Sequence, residues 1–137
     1  FVVESAGKYQ TLTDASQGLF QFKDVLNLFF TTACVTEWQI LESLFAAIEP
    51  HRILFATGGG RALELGKSVI INDYVVEATP EHTRDSDGDT PPFTLRLYEQ
   101  IWAIRTAMER LGTNRDHILD FFHDNARQLL NVATRKS

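Results

Sequence analysis

The sequence predicts a helix-rich α/β domain, and three observations carry that expectation. An amphipathic helix pattern over residues 37–48 runs into the apolar stretch Arg52-Ile53-Leu54-Phe55-Ala56, which closes on Thr57-Gly58-Gly59-Gly60. Helix, buried strand and glycine-rich turn in that order is how α/β proteins build ligand sites, because backbone N–H groups can approach a ligand there. Farther on, Leu97, Ile101, Ile104, Met108 and Leu111 recur at alternating spacings of four and three residues, an unbroken helical stripe. Thr36 and Thr113 each open an apolar-periodic run, where a hydroxyl caps the first turn.

The elements follow in order. Phe1 to Glu4 reads as a strand too short to stand unpaired. Residues 5–18 read as irregular and turn-rich, with Gly7, Thr13, Asp14 and Gly18. Phe22, Val25, Leu26, Phe29 and Phe30 then recur at helical spacing and predict a helix over residues 19–30. A second helix is expected from Thr36, whose hydroxyl accepts the Gln39 N–H while Gln39 reaches back, with Val35 against Ile40 as a staple. Its core face is Ile40, Leu41, Leu44, Phe45 and Ile48, and Pro50 ends it. Residues 53–56 show no polar alternation, as in a strand covered on both faces.

A short helix from Arg61, stopped at Gly66, is expected next. Residues 68–78 fit two strands around Asn72-Asp73 and a buried helix about equally well, and both readings stand. Residues 79–92 hold three of the four prolines and read as an exposed loop of the length used for lids or insertions. Gly112 supplies the stop of the Leu97–Leu111 helix, and Thr113 caps the last helix, with Asp116 complementing its dipole. There Ile118, Phe122, Ala126 and Leu129 are expected to point inward. No repeat and no boundary divides residues 1–137, which read as a single domain or a fragment of a larger one.

Composition narrows the function classes. With 137 residues, 44% hydrophobic and 23% charged, the chain can bury about two thirds of its unfolded surface. A net charge of −5 without a basic stripe argues against nucleic acid and leaves a small anionic or neutral ligand. The single cysteine, Cys34, forms no internal disulfide, which fits a reducing, cytoplasmic setting. No apolar run approaches the ~18 residues of a membrane span, so a membrane partner is not expected. The chain opens on Phe1-Val2-Val3 without an initiator Met, as a fragment or processed piece would.

The segments Phe1 to Gly7, residues 37–48, Arg52 to Thr57, and Ile118-Leu119 with Asn125-Ala126-Arg127-Gln128-Leu129-Leu130 resemble the C-terminal quarter of the amidohydrolase-related metal hydrolases. The resemblance implies part of a (β/α) barrel ending in a C-terminal helix pair. It also implies hydrolysis or decarboxylation of a small carboxylic or amide substrate. In that family an aspartate after the last barrel strand binds the metal or takes a proton from water, and the matching residue here is Gly58. No His-x-His pair occurs among His51, His82, His117 and His123, so a divalent metal would have to be held by residues supplied elsewhere. An eight-stranded barrel needs about 200 residues or more, so this chain would be only a piece of one.

The strongest candidate site is the turn Thr57, Gly58, Gly59, Gly60 with Arg61: three glycines can turn N–H groups toward an anion while Arg61 adds counter-charge. No catalytic residue can be named from the sequence. Asp85, Asp87 and Asp89 around Gly88 lack the twelfth-position glutamate of a calcium loop and read as a solvated turn. Asp116, His117, Asp120, His123 and Asp124 fall opposite the apolar stripe of the last helix, where surface pairing accounts for them. Cys34 reads as a packed thiol, and Trp38 and Trp102 as core or interface residues. The rival to an enzyme is a non-catalytic helical α/β module that binds a partner or forms a homo-oligomer through the Phe-rich 19–30 segment.

Overall fold

The computed structural model describes residues 1–83, 88 and 92–135. It is a mixed α/β structure, richer in helix than in strand. Three parallel strands, β1 (Val2–Val3), β2 (Phe29–Thr31) and β3 (Ile53–Leu54), lie side by side in chain order. Val2 stands opposite Phe29, Phe30 opposite Ile53 and Thr31 opposite Leu54. Parallel neighbours need crossovers, and helices α1 (Leu12–Gln21) and α2 (Trp38–Ala47) supply them. An antiparallel hairpin, β4 (Lys67–Ile71) and β5 (Tyr74–Ala78), precedes the long helix α3 (Arg96–Leu111). The chain then runs through α4 (Arg115–Leu119), a π turn at Asp120–Asp124 and α5 (Asn125–Arg135). No helix among the described residues is long and apolar enough to cross a membrane.

One core joins these elements. Leu19 of α1, Phe30 of β2, Leu41 and Leu44 of α2, Ile53 of β3 and Ile104 of α3 are all at least 98% buried within it. Phe121 closes its lower edge, edge-on to both Phe45 and Phe55.

Residues 5–30 depart from the expected irregular stretch followed by a helix. The helix comes earlier, at Leu12–Gln21, capped by Thr11, whose hydroxyl accepts the Asp14 N–H at 3.0 Å. Its Ala15 and Leu19 are buried, whereas Phe20, Phe22, Val25 and Leu26 are exposed. The chain turns after Phe22 because the fully buried Arg52 donates to the carbonyls of Lys23, Val25 and Leu28, replacing the intrahelical bonds a longer helix would make. Phe29 and Phe30, expected in the helix, are instead in the central strand.

The capping box at Thr36 does not form. Helix α2 starts at Trp38 with Glu37 in the cap position and no side-chain cap. The Thr36 hydroxyl is used elsewhere: it accepts the Ser68 N–H at 2.7 Å and donates to the Ser68 carbonyl at 3.1 Å, fastening the hairpin to the start of α2. The ladder of the third strand stops at Leu54; the Phe55 N–H turns to the Phe121 carbonyl and the Ala56 carbonyl accepts from Gln100. The short helix expected from Arg61 to Gly66 is a 3-10 turn, Gly59–Leu63. Residues 68–78 resolve as strands, turning through Asn72 and Asp73 at φ 48° and 74°, a left-handed pair that suits a two-residue hairpin.

Gly112 ends α3 at φ 64° as expected, but the buried face of that helix is rotated: Arg96, Gln100, Ala103, Ile104, Ala107 and Met108 point in, and Ile101 and Leu111 point out. The next cap is Asn114, accepting the His117 N–H at 2.9 Å, one residue after Thr113. The π turn then shifts the helix phase, so that Phe121 and Asn125 are buried and Phe122 faces out. Ile118, Ala126 and Leu129 are half-buried. Half of the proline-rich 79–92 loop, with Asp85, Asp87 and Asp89, lies outside the described residues.

Candidate functional site

The carboxyl ends of the three parallel strands open into a cleft of about 230 Å³. Ser5, Lys8 and Tyr9 reach it from the segment after β1, and Cys34 and Glu37 from the segment after β2. Arg61 comes from the turn after β3, Ser68 and Glu77 from the hairpin, and Arg96 from the first turn of α3. The hairpin is fixed there at both ends. Leu12 and Val75 donate to the Asp73 and Gln10 carbonyls at 2.8 Å, and Thr36 holds Ser68.

Arg96 is the buried charge of the cleft, 1% exposed. Its Nη2 donates to Glu77 Oε2 at 2.7 Å and its Nη1 reaches Ser68 Oγ at 3.5 Å, while its Nε has no partner. Ser68 Oγ in turn donates to Glu77 Oε1 at 2.8 Å, and Arg61 Nη2 lies 3.8 Å from the same oxygen. Partial burial pushes the Glu77 carboxyl up, but the bonds from Arg96 and Ser68 and the charges of Arg96 and Arg61 together hold it below the usual range.

Glu37 behaves oppositely. Burial drives its pKa above the ordinary glutamate value and the Glu77 charge adds to it, while hydrogen bonds from the Thr36 N–H and from its own N–H oppose that. Its Oε2 accepts the Thr36 N–H at 2.8 Å. The cleft thus sets three cationic side chains against two carboxyl groups, one biased toward its neutral form. In a chain of net charge −5, this favours an anionic guest. Two neighbouring carboxyl groups whose pKa values are pushed in opposite directions are also the environment in which acid and base roles separate.

Of the residues expected to bind a ligand, Arg61 lines the cleft. Thr57 and Gly58 instead meet Cys34: the thiol points at the Thr57 carbonyl at 3.5 Å, and a Cβ on Gly58 would overlap its sulfur. Gly59 and Gly60 face open space. Cys34 sits at φ 57°, a left-handed conformation rare for a residue with a side chain.

The metal that the amidohydrolase resemblance implies does not fit the residues present. Gly58 leaves no room for a carboxylate beside Cys34, none of the four histidines lines the cleft, and no metal-holding group of three His, Cys, Asp or Glu exists among the described residues. His123 pairs with Asp124 at 2.8 Å and His82 with the Thr79 hydroxyl at 2.8 Å, both at the surface.

Sequence reasoning missed Lys8, Glu37, Ser68, Glu77 and Arg96. One signal was available for Arg96: a cation in the first turn of a helix opposes the helix dipole, and so asks for a reason. A second cavity, about 390 Å³, lies at the amino ends of the strands among Phe45, Ile53, Met108, Leu111 and Phe121. It is larger, but His117 is its one titratable side chain, so it offers little to orient a reacting group. No protein-family model, curated protein or solved structure matches the chain.

Proposed function

We propose that the chain forms part of an amidohydrolase-like hydrolase or decarboxylase acting on a small carboxylic or amide substrate, with the cleft at the strands' carboxyl ends as its site. The observation that supports this most is the opposed pair Glu37 and Glu77 beside Arg96, Arg61 and Lys8. Three parallel strands in chain order with helical crossovers are compatible with a sector of a barrel, whose sites lie at that end. The cations bind the substrate carboxylate. In hydrolysis Glu37, once ionised, takes the proton of the attacking water and returns it to the departing amine. In decarboxylation the carbon–carboxylate bond breaks, CO2 leaves, and protonated Glu37 gives its proton to the carbon that keeps the electron pair.

The test is turnover of a panel of small amides and aromatic carboxylic acids by wild type and Glu37→Gln. Amine or CO2 release should fall by about 100-fold or more in the variant, the size of a lost general acid–base. No turnover by wild type, or equal turnover by both, refutes the assignment.

A non-catalytic module is the second reading, and one observation favours it. Tyr98, Ile101 and Trp102 form an exposed apolar row on α3, a better partner face than the expected 19–30 helix, which does not exist. Under that reading Trp102→Glu should convert a dimer to a monomer in sedimentation velocity, and a wild-type monomer would remove its support.

A further inference from the structure

Arg96 lines the cleft, and its Nε is buried without a hydrogen-bond partner. A buried donor left without a partner forfeits the full desolvation cost of the group. Nε and Nη2 form the side-on fork of a guanidinium, spaced to receive both oxygens of one carboxylate. Here Glu77 Oε2 holds only the Nη2 arm, because its other oxygen is turned to Ser68. The Glu77 side chain is 45% exposed and has a second cation within reach, Arg61 at 3.8 Å. Lys8 lines the same cleft and makes no ion pair among the described residues.

We propose that Arg96 is the carboxylate anchor of the cleft and that Glu77 is an internal stand-in for the ligand, displaced toward Arg61 when a carboxylate takes both arms of the fork. The inference rests on the reading of the cleft as the substrate site and names its ligand group. Glu77 holds the Nη2 arm in place, so a carboxylate ligand meets a preorganised guanidinium at the cost of one exchanged hydrogen bond. A neutral amide cannot make that exchange, because it brings one acceptor and no charge. Carboxylates are therefore selected over the matching amides at this position, and an amide substrate needs a carboxylate elsewhere in the molecule.

Titration of benzoate, with benzamide as the neutral control, tests this by following the arginine Nε–H signals in nitrogen-resolved NMR. The Arg96 Nε–H should shift downfield and saturate with benzoate and stay unmoved with benzamide. Glu77→Gln should tighten benzoate by about tenfold, since it removes a competing charge-assisted bond. Arg96→Lys, which keeps the charge and loses the fork, should weaken benzoate by about tenfold. Arg96→Lys also loosens the hairpin, so the wild-type signal and Glu77→Gln decide the matter. Benzoate that saturates other cleft resonances while the Arg96 Nε–H stays fixed, or an unchanged affinity in Glu77→Gln, overturns the anchor and leaves the cleft standing. No saturable shift at any cleft residue, in wild type or Glu77→Gln, overturns both.

Discussion

Replacing Asn125 by Ala should destabilise the fold by about 2–4 kcal/mol, and the structure says where that comes from. Asn125 is 3% exposed on the first turn of α5. Its amide donates to the Pro50 carbonyl at 2.7 Å and the Ile53 carbonyl at 2.9 Å, tying the C-terminal helix to the start of β3. The Pro50 carbonyl keeps a partner, the Ile53 N–H, so its loss is small. The Ile53 carbonyl is left buried and loses its amide partner, which costs about 1–3 kcal/mol, and a second bond of about 1 kcal/mol goes with it. For a chain of this length the change corresponds to a Tm lowered by about 7–14 °C. Asn125→Asp should be worse than Asn125→Ala, because a carboxylate would face two carbonyl oxygens with nothing to donate. Urea unfolding of the three proteins at pH 7, read by tryptophan fluorescence and checked by calorimetry, gives the comparison. An Ala variant within about 0.5 kcal/mol of wild type, or an Asp variant as stable as the Ala variant, would refute the reasoning.

Two further perturbations follow from the cleft. Gly58→Ala should destabilise by about 2 kcal/mol or more, since φ is 88° and the new Cβ meets the Cys34 sulfur; in a Cys34→Ala background only the backbone strain of about 1 kcal/mol should remain, a non-additivity that a double-mutant cycle in urea measures. Glu37 has a raised folded pKa, so its contribution to stability is fully present below the unfolded value of about 4.3 and is lost as pH rises through the folded value. Glu37→Gln should therefore gain stability relative to wild type between pH 4 and pH 7, and a constant difference in urea midpoint across that range would show that burial does not bias its proton.

The helix-rich α/β class, α2, the buried Ile53 and Leu54, the Leu97–Leu111 helix and its Gly112 stop were legible because each depends on local pattern. What misled was competition for the same groups by distant residues. The Thr36 hydroxyl fits a capping box by spacing, yet Ser68 takes it from 32 residues away. Phe22 to Phe30 has helical periodicity, yet Arg52 draws off the carbonyls that a helix would use. Phe122 was the inward residue of a regular helix, and the π turn moved that role to Phe121. Of the candidate cleft's lining, the expected ligand-binding turn included only Arg61, because the glycine turn marks the end of one strand, whereas the cleft draws Lys8, Glu37, Ser68, Glu77 and Arg96 from five separate segments. No single stretch of sequence carries that convergence.

The central claim is that a small carboxylate binds at the carboxyl ends of the parallel strands. Backbone amide shifts of the labelled protein, followed through a benzoate titration, test it most directly. Saturable changes should concentrate at Ser5, Lys8, Cys34, Glu37, Ser68 and Glu77, the residues that line the cleft. Changes confined instead to Phe45, Met108, Leu111 and His117, around the apolar cavity at the opposite ends of the strands, would contradict it.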